Sequence, residues 1–391
     1  MARHALNEVL PGVVRGYCSR DTTPQGVLLT IGGKRFRIWR SISMKTLCVL
    51  AVAAALIGWG PRVVARQQAA GGTRPQTSDA RPQTSDGLDV VQIRPNFHVI
   101  GGAGGNIVMQ TGPEGVILVD SGSTQNADKV LAAIRRITDL PIRYIINTSM
   151  DADHVGGNDK LARAGLSILP GAVVAGAGLN DDVVSNFGRA SVLAHENVLT
   201  RLTAATGPQA LPFALFPTKT FAFRQYAMYL NGEGIQVIHM PAAHTDGDTI
   251  VFFRRGDVIA TGDIIDTTRW PVIDIKRGGT VQGVLDALNR LMDLAILNVP
   301  LQWQADRTFL VPGHGFVYDK LDLLEYRDAV TVIRDRVQSL IEEKKTLAQV
   351  KAANPTLGYR SQYGTDKGEW TTDMFVETIY NELTAKKGTN K

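Results

Sequence analysis

From residue 88 onward, short β-branched runs alternate with glycine-rich turns before helical spacing takes over. Residues 90–93, 98–100, 106–110 and 116–119 are such runs, each closed by Gly or Pro, and they predict four strands. Apolar positions at Val130, Ile134 and Ile137 then repeat with the period of a helix over 126–138. The segment 143–147 (RYIIN) reads as a buried strand, 160–164 as a helix, 173–174 as a short strand, and 180–203 as helical in parts. A second block of strands follows at 236–239, 250–253 and 258–260. An amphipathic helix is predicted over 280–297, a last strand at 308–311, and helices over 321–345, 347–353 and 371–383. Strands, helices, strands, helices is the order of two α/β halves packed sheet against sheet. No apolar boundary divides them, so 88–385 reads as one domain.

The first 87 residues follow other rules. Residues 47–57 (LCVLAVAAALI) form an apolar run preceded by Met44 and Lys45 and followed by Val63, Val64 and Ala65. That is the layout of a signal peptide, and the run is too short to cross a bilayer. Because Met44 is not Met1, either translation starts at Met44 or the signal has a long basic start. Residues 1–65 are thus expected to be a leader, and the mature protein periplasmic or secreted, with no membrane span left. Residues 66–87 repeat RPQTSD at 74–79 and 81–86 and are too polar to bury a core, so they read as a disordered linker.

Charge and cysteine content narrow the chemistry. The formal net charge of +5 suggests a nucleic-acid partner at first sight. Nine of the 42 Lys and Arg residues, but only two of the 37 Asp and Glu residues, lie in 1–65. The remainder is close to neutral, so the partner expected is a small-molecule substrate and no nucleic acid. Both cysteines, Cys18 and Cys48, are in the leader. Any metal in the main body must therefore be held by His and carboxylates.

Those residue types gather after predicted strands. Asp151, Asp153 and His154 follow the strand at 143–147. His244 lies in a turn with Asp246 and Asp248, Asp263 follows Thr261 and Gly262, and His314 stands between Gly313 and Gly315. Loops on a rigid sheet are where ligands collect. Three histidines and up to three carboxylates are a normal shell for one or two zinc or iron ions. Taken singly, a His after a strand is more often a hydrogen-bonded structural residue.

Their joint order resembles the metallo-β-lactamase superfamily, whose hallmark is His-x-His-x-Asp-His after a strand, then a third His, a Gly-Asp turn and Pro-Gly-His-Gly. Asp153, His154, His244, Asp263 and His314 fall on matching positions, as do the strand end Val119, Asp120, Ser121 and Gly122 and the helix entry His154, Val155, Gly156, Gly157 and Asn158. The resemblance covers nearly all of 88–385 and implies a four-layer αββα sandwich with its site at the sheet edge.

The sequence departs from the family at two ligands. Ser149 and Asp151 stand where the family has its first two histidines. The second metal position keeps Asp153, His154, Asp263 and His314, while the first has Asp151 and His244 with Asp263 between them. A hydroxyl such as that of Ser149 is a poor ligand. The resemblance thus implies one tightly bound Zn2+, with a second held weakly, and Fe or Mn as alternatives. Asp153 and Asp151 are the candidate catalytic residues. The implied activity is hydrolysis of an ester, lactone, thioester or β-lactam-like amide by a metal-bound water. The alternatives are a catalytically weakened metal-binding protein and an iron oxidoreductase of the same fold. His195 is read as a helix residue, either a support of the site or a cap, and His98 and His239 as structural. Asp246 and Asp248 are read as fixing their loop. Trp270, Trp303, Tyr226, Tyr229 and the segments 180–186 and 204–219 are candidate walls of a substrate pocket.

Overall fold

The computed structural model describes residues 27–31, 34–38, 87–167, 188–207, 210–297 and 307–389. The chain divides into two units, Met1–Ser78 and Asp79–Lys391. In the first unit an antiparallel hairpin pairs β1 (Val27–Ile31) with β2 (Lys34–Ile38). The apolar run at 47–57 and the linker up to residue 86 lie outside the described residues, as do 173–174, 180–186 and Trp303. Among the described residues no helix is long and apolar enough to cross a membrane.

The second unit has a seven-stranded and a five-stranded sheet among the described residues. The first runs in chain order through β3 (Asp89–Arg94), β4 (Phe97–Gly101), β5 (Ile107–Gly112), β6 (Gly115–Val119), β7 (Ile142–Ile146), β8 (Ser191–His195) and β9 (Lys219–Phe221). It is antiparallel from β3 to β6 and parallel from β6 to β9. Parallel neighbours need crossovers. These contain α1 (Ala127–Ile137), then α2 (Ala152–Val155) and α3 (Asn158–Arg163), then α4 (Glu196–Ala204). The second sheet orders β10 (Gln225–Leu230), β11 (Glu233–His239), β12 (Thr249–Phe253), β13 (Val258–Asp266) and β14 (Phe309–His314). Only β13 and β14 are parallel, joined through α5 (Val281–Leu294). Helices α6 (Lys320–Glu342), α7 (Leu347–Ala352), α8 (Arg360–Tyr363) and α9 (Thr372–Thr389) complete the chain.

Strand alternation builds the layers. Successive strand side chains point to opposite faces, so Val108, Ile117, Val119 and Ile146 face Val237, Val251, Val258 and Val311 of the other sheet in one shared core. Their neighbours Ile107, Met109, Leu118 and Ile145 point outward and pack under Val130, Ile134 and Leu161 of α1 and α3. On the far side Ile250, Ile259 and Leu310 pack under Val284, Leu288, Tyr326, Ile333 and Phe375. Helix, sheet, sheet, helix is the four-layer αββα sandwich that the family resemblance implies.

Strand β13 carries the irregularity that matters most. Its pairing with β14 slips on both sides of Gly262, so the chain bulges there and Asp263 leaves the regular ladder. Gly262 has φ 53°, and a Cβ on it would stand 2.6 Å from Thr148 Oγ1. Only glycine lets the two sheets' loops approach this closely.

Candidate metal centre

Segments of four strands and their turns converge at one edge of the sandwich. The turn after β7 supplies Asp151, Asp153 and His154. The turn after β11 supplies His244, the bulge in β13 supplies Asp263, and the end of β14 supplies His314. Two groups of donor atoms result, each within 4.8 Å of one another: Asp153, His154 and His314, and Asp151, His244 and Asp263. Asp263 lies between them. Its Oδ1 is 3.0 Å from His154 Nε2 and 3.5 Å from His314 Nε2, and its Oδ2 is 3.9 Å from His244 Nε2. Asp153 Oδ2 lies 3.1 Å from His314 Nε2, and Asp151 Oδ2 lies 2.9 Å from His244 Nε2.

The imidazoles are aimed from behind. His154 Nδ1 is 2.8 Å from Asp120 Oδ2, and His244 Nδ1 donates to the Val272 carbonyl over 2.9 Å. Both rings therefore turn Nε2 toward the site, as metal-ligating histidines do. Asp120 itself stands at φ 64° directly after β6. Its carboxylate also accepts from the backbone N–H and the hydroxyl of Thr148, at 2.8 and 2.7 Å. Loss of such a rear support typically costs ~10–100-fold in metal affinity. Asp120→Ala is expected to weaken zinc binding by that factor in a calorimetric titration, with the fold retained.

Electrostatics make the residues present a good fit for a cation. His154, His244 and His314 all have pKa values above the ordinary 6.5. For each, burial alone would lower the value, but the neighbouring carboxylates outweigh it, and His244 reaches about 10. Burial would raise the carboxyls of Asp151, Asp153 and Asp263, yet the facing histidines pull all three below the usual range. His154, His244, His314 and Arg277 thus face the carboxylates of Asp120, Asp151, Asp153 and Asp263. A nitrogen and oxygen donor set of this composition suits Zn2+ or Fe.

The six metal-site residues named from the sequence thus meet in one place, and Ser149 does not join them. Its hydroxyl accepts from the Asp151 N–H over 3.3 Å and closes its own turn. His195 ends strand β8 instead of lying in a helix, and it takes the capping role of the two read for it: it is the N-cap of α4, accepting from Asn197 N at 3.3 Å. Its ring stacks on His239 at 3.6 Å, and burial beside that ring lowers its pKa to about 4. His239 donates to the Asp246 carbonyl over 2.8 Å, and Asp246 pairs with Arg201 at 2.7 Å. Asp248 accepts from Thr245 N and Oγ1 and holds the turn that carries His244; burial pushes its carboxyl up to about 6. Trp270, a candidate pocket wall that suits a core equally well, is core, stacked on Phe375 at 5.2 Å. Tyr229 is exposed on β10.

A cleft of about 610 Å³ opens over the donors, lined by Asp151, Asp153, His244, Asp263 and His314 and by residues that the sequence did not single out. Among these are Arg269, Lys276, Arg277, Glu369 and Trp370. Arg269 is tied to Asp266 at 2.6 Å, and Arg277 donates to Asp151 Oδ1 at 2.5 Å.

Fold and site together define a metal-binding αββα sandwich, and residues 100–333 match the metallo-beta-lactamase superfamily. The chain belongs to that superfamily, whose hydrolase members include its relatives. It is 25% identical over 287 residues to the linear primary-alkylsulfatase of Pseudomonas sp. (strain ATCC 19151), covering 65% of this chain and 52% of that protein. Among solved structures, a double mutant of the sec-alkyl sulfatase PisA1 superposes with a TM-score of 0.55 at 13% identity, over 76% of this chain and 50% of that one. The stereoselective inverting sec-alkylsulfatase Pisa1 from Pseudomonas sp. gives 0.51 at 13% identity, over 75% and 50%. At that identity the structures show a shared fold, and the chain spans about half the length of the alkylsulfatases it matches.

Proposed function

We propose that this protein is a metal-dependent hydrolase of ester bonds, and that its substrate is an anionic ester of the sulfate-ester kind. The observation that carries this reading is the cleft itself: its lining sets Lys276 among the metal donors, while Arg269 is held by Asp266 and Arg277 by Asp151 and Asp274. Lys276 offers a charge that a sulfate group uses and a neutral lactone, thioester or amide does not. The likeness to alkylsulfatases supports the same choice.

When bound, a divalent ion supplies a low-pKa water and a Lewis acid at the scissile group. The chain's own residues do the rest. Asp153, hydrogen-bonded to His314 and open to the cleft, orients the water and takes its proton. The hydrolysis adds water across the ester and releases an alcohol and an acid. Lys276, in the lining of the cleft, meets the anionic end of the substrate.

The test is a panel of alkyl sulfates, carboxylic esters, lactones and β-lactams assayed on zinc-loaded protein. Sulfate esters are expected to be hydrolysed best. Asp153→Asn is expected to lose ~10²–10³ in rate, the size of one transition-state contact. One observation favours a second reading, a metal-binding protein with little catalysis: Asp151 is engaged by Arg277 and Ser149 by its own turn. If wild type binds metal yet hydrolyses nothing above the Asp153→Asn background, this second reading replaces the first.

A further inference from the structure

Arg277 is held too firmly to be a chance surface arm. It sits on a short turn capped by Asp274, whose carboxylate accepts from Arg277 N at 3.1 Å and lies 3.3 Å from Arg277 Nε. That turn is fastened to the His244 loop at three points. Asp274 N donates to His244 O, Asp246 N donates to Arg277 O, and Thr280 N donates to Ala242 O, each at 2.9 Å. Gly278, at φ 86°, reverses the chain, and a Cβ on Gly279 would stand 2.1 Å from His244 O. The contact between the two loops therefore requires the glycine pair, and the contact brings the guanidinium to Asp151.

The two metal positions are unequal as a result. The second has four donor residues, Asp153, His154, His314 and Asp263, with Asp120 adding a further negative charge behind His154. The first has three, Asp151, His244 and Asp263, because Ser149 is turned into its own loop. One oxygen of Asp151 already takes Arg277 at 2.5 Å, while the other faces His244 at 2.9 Å. Arg277 also brings a permanent positive charge, since a guanidinium does not deprotonate in proteins. Any cation entering the first position meets that charge at close range in a partly buried site.

We propose that Arg277 is the built-in cation of the first metal position and restricts the protein to one tightly held metal ion. The guanidinium neutralises Asp151 and fixes it on the cleft wall, so the first position works as a protein cation beside a single metal centre. Arg277 is in this sense a positioning residue acting through Asp151. The inference rests on the metal-dependent reading of the site.

The experiment is a zinc titration of the chelator-stripped full chain by calorimetry, with metal content after dialysis measured by mass spectrometry. Wild type is expected to retain one ion, with a second binding only weakly. In Arg277→Met the second ion is expected to bind roughly tenfold or more tightly, since repulsion is gone and Asp151 is freed. Arg277→Lys keeps the charge and is expected to behave as wild type. Arg277→Gln serves in place of the Met variant if that variant shows no cooperative thermal transition. Two equally tight ions in wild type, or an unchanged second affinity in both neutral variants, would overturn the proposal. A wild type that binds no zinc overturns it together with the metal-dependent reading. One tight ion without any ester hydrolysis defeats only the hydrolase reading.

Discussion

Zinc affinity is expected to rise with pH around pH 6, by at most roughly 100-fold per unit, since binding at the second position displaces the protons that its two histidines carry. Both His154 and His314 hold their protons above the ordinary pKa of 6.5, because facing carboxylates outweigh the burial that would strip them. An indicator competition from pH 5.5 to 7 reads the slope directly, and a flat profile would show the imidazoles already neutral. Chelator-treated protein should show the opposite trend in its own stability. Histidine pKa values raised by folding contribute stability that is whole below 6.5 and is lost as pH climbs through the folded value, about 10 for His244. Carboxyl values lowered by folding contribute stability that is present above 3.8 and lost as pH falls. The metal-free protein is therefore expected to be most stable between about pH 4 and 6.5 and to weaken by at most about 1.4 kcal/mol per pH unit for each titrating histidine above that. The zinc-induced gain in melting temperature should accordingly be larger at pH 8 than at pH 6.

Asp263→Asn is the substitution expected to cost most. A support behind the ligands is typically worth ~10–100-fold in metal affinity, and Asp263 is no support but the carboxylate that all three histidines face. A loss of roughly 10³-fold in zinc affinity is expected, beyond the range of such outer groups. The side chain keeps its shape, so the effect isolates the charge. It also takes from the metal-free protein the carboxylate that His154, His244 and His314 all face, so the metal-free variant should melt below wild type at pH 6. A variant with wild-type zinc affinity would remove Asp263 from the site.

The donors were legible in the sequence for a physical reason. Asp153, His154 and His244 follow strands, His314 ends β14 and Asp263 sits at the bulge of β13, each beside a glycine turn or helix entry that local pattern already marks. The layers were legible as well, because alternation such as Ile107, Val108 and Met109 splits between two cores. What escaped depends on tertiary closeness. Arg277 lies on a three-residue turn with no periodic signal and reaches Asp151 only because Gly278 and Gly279 let two loops touch. Asp120 is 34 residues from the histidine it steers and looks in sequence like an ordinary strand end. His195 reads as helical in sequence because the helix starts one residue later, at Glu196. Strand β10 leaves little buried alternation to read, being mostly exposed from Gln225 to Tyr229. Trp270 gave no sign of its place, since an aromatic ring suits a pocket wall and a core equally well.

The donors of the second position come from both halves of the sandwich: Asp153 and His154 from beyond β7, Asp263 and His314 from β13 and β14. A bound ion is therefore a further cross-link between two sheets that are also joined by apolar contact and by hydrogen bonds such as Asn106 N to Gly313 O. Pulling the sheets apart would require releasing the ion first, so occupancy governs how fast the protein opens as well as how stable it is. Metal-starved molecules would open more often at this seam and meet proteases there, and the lifetime of the protein would follow the supply of metal around it.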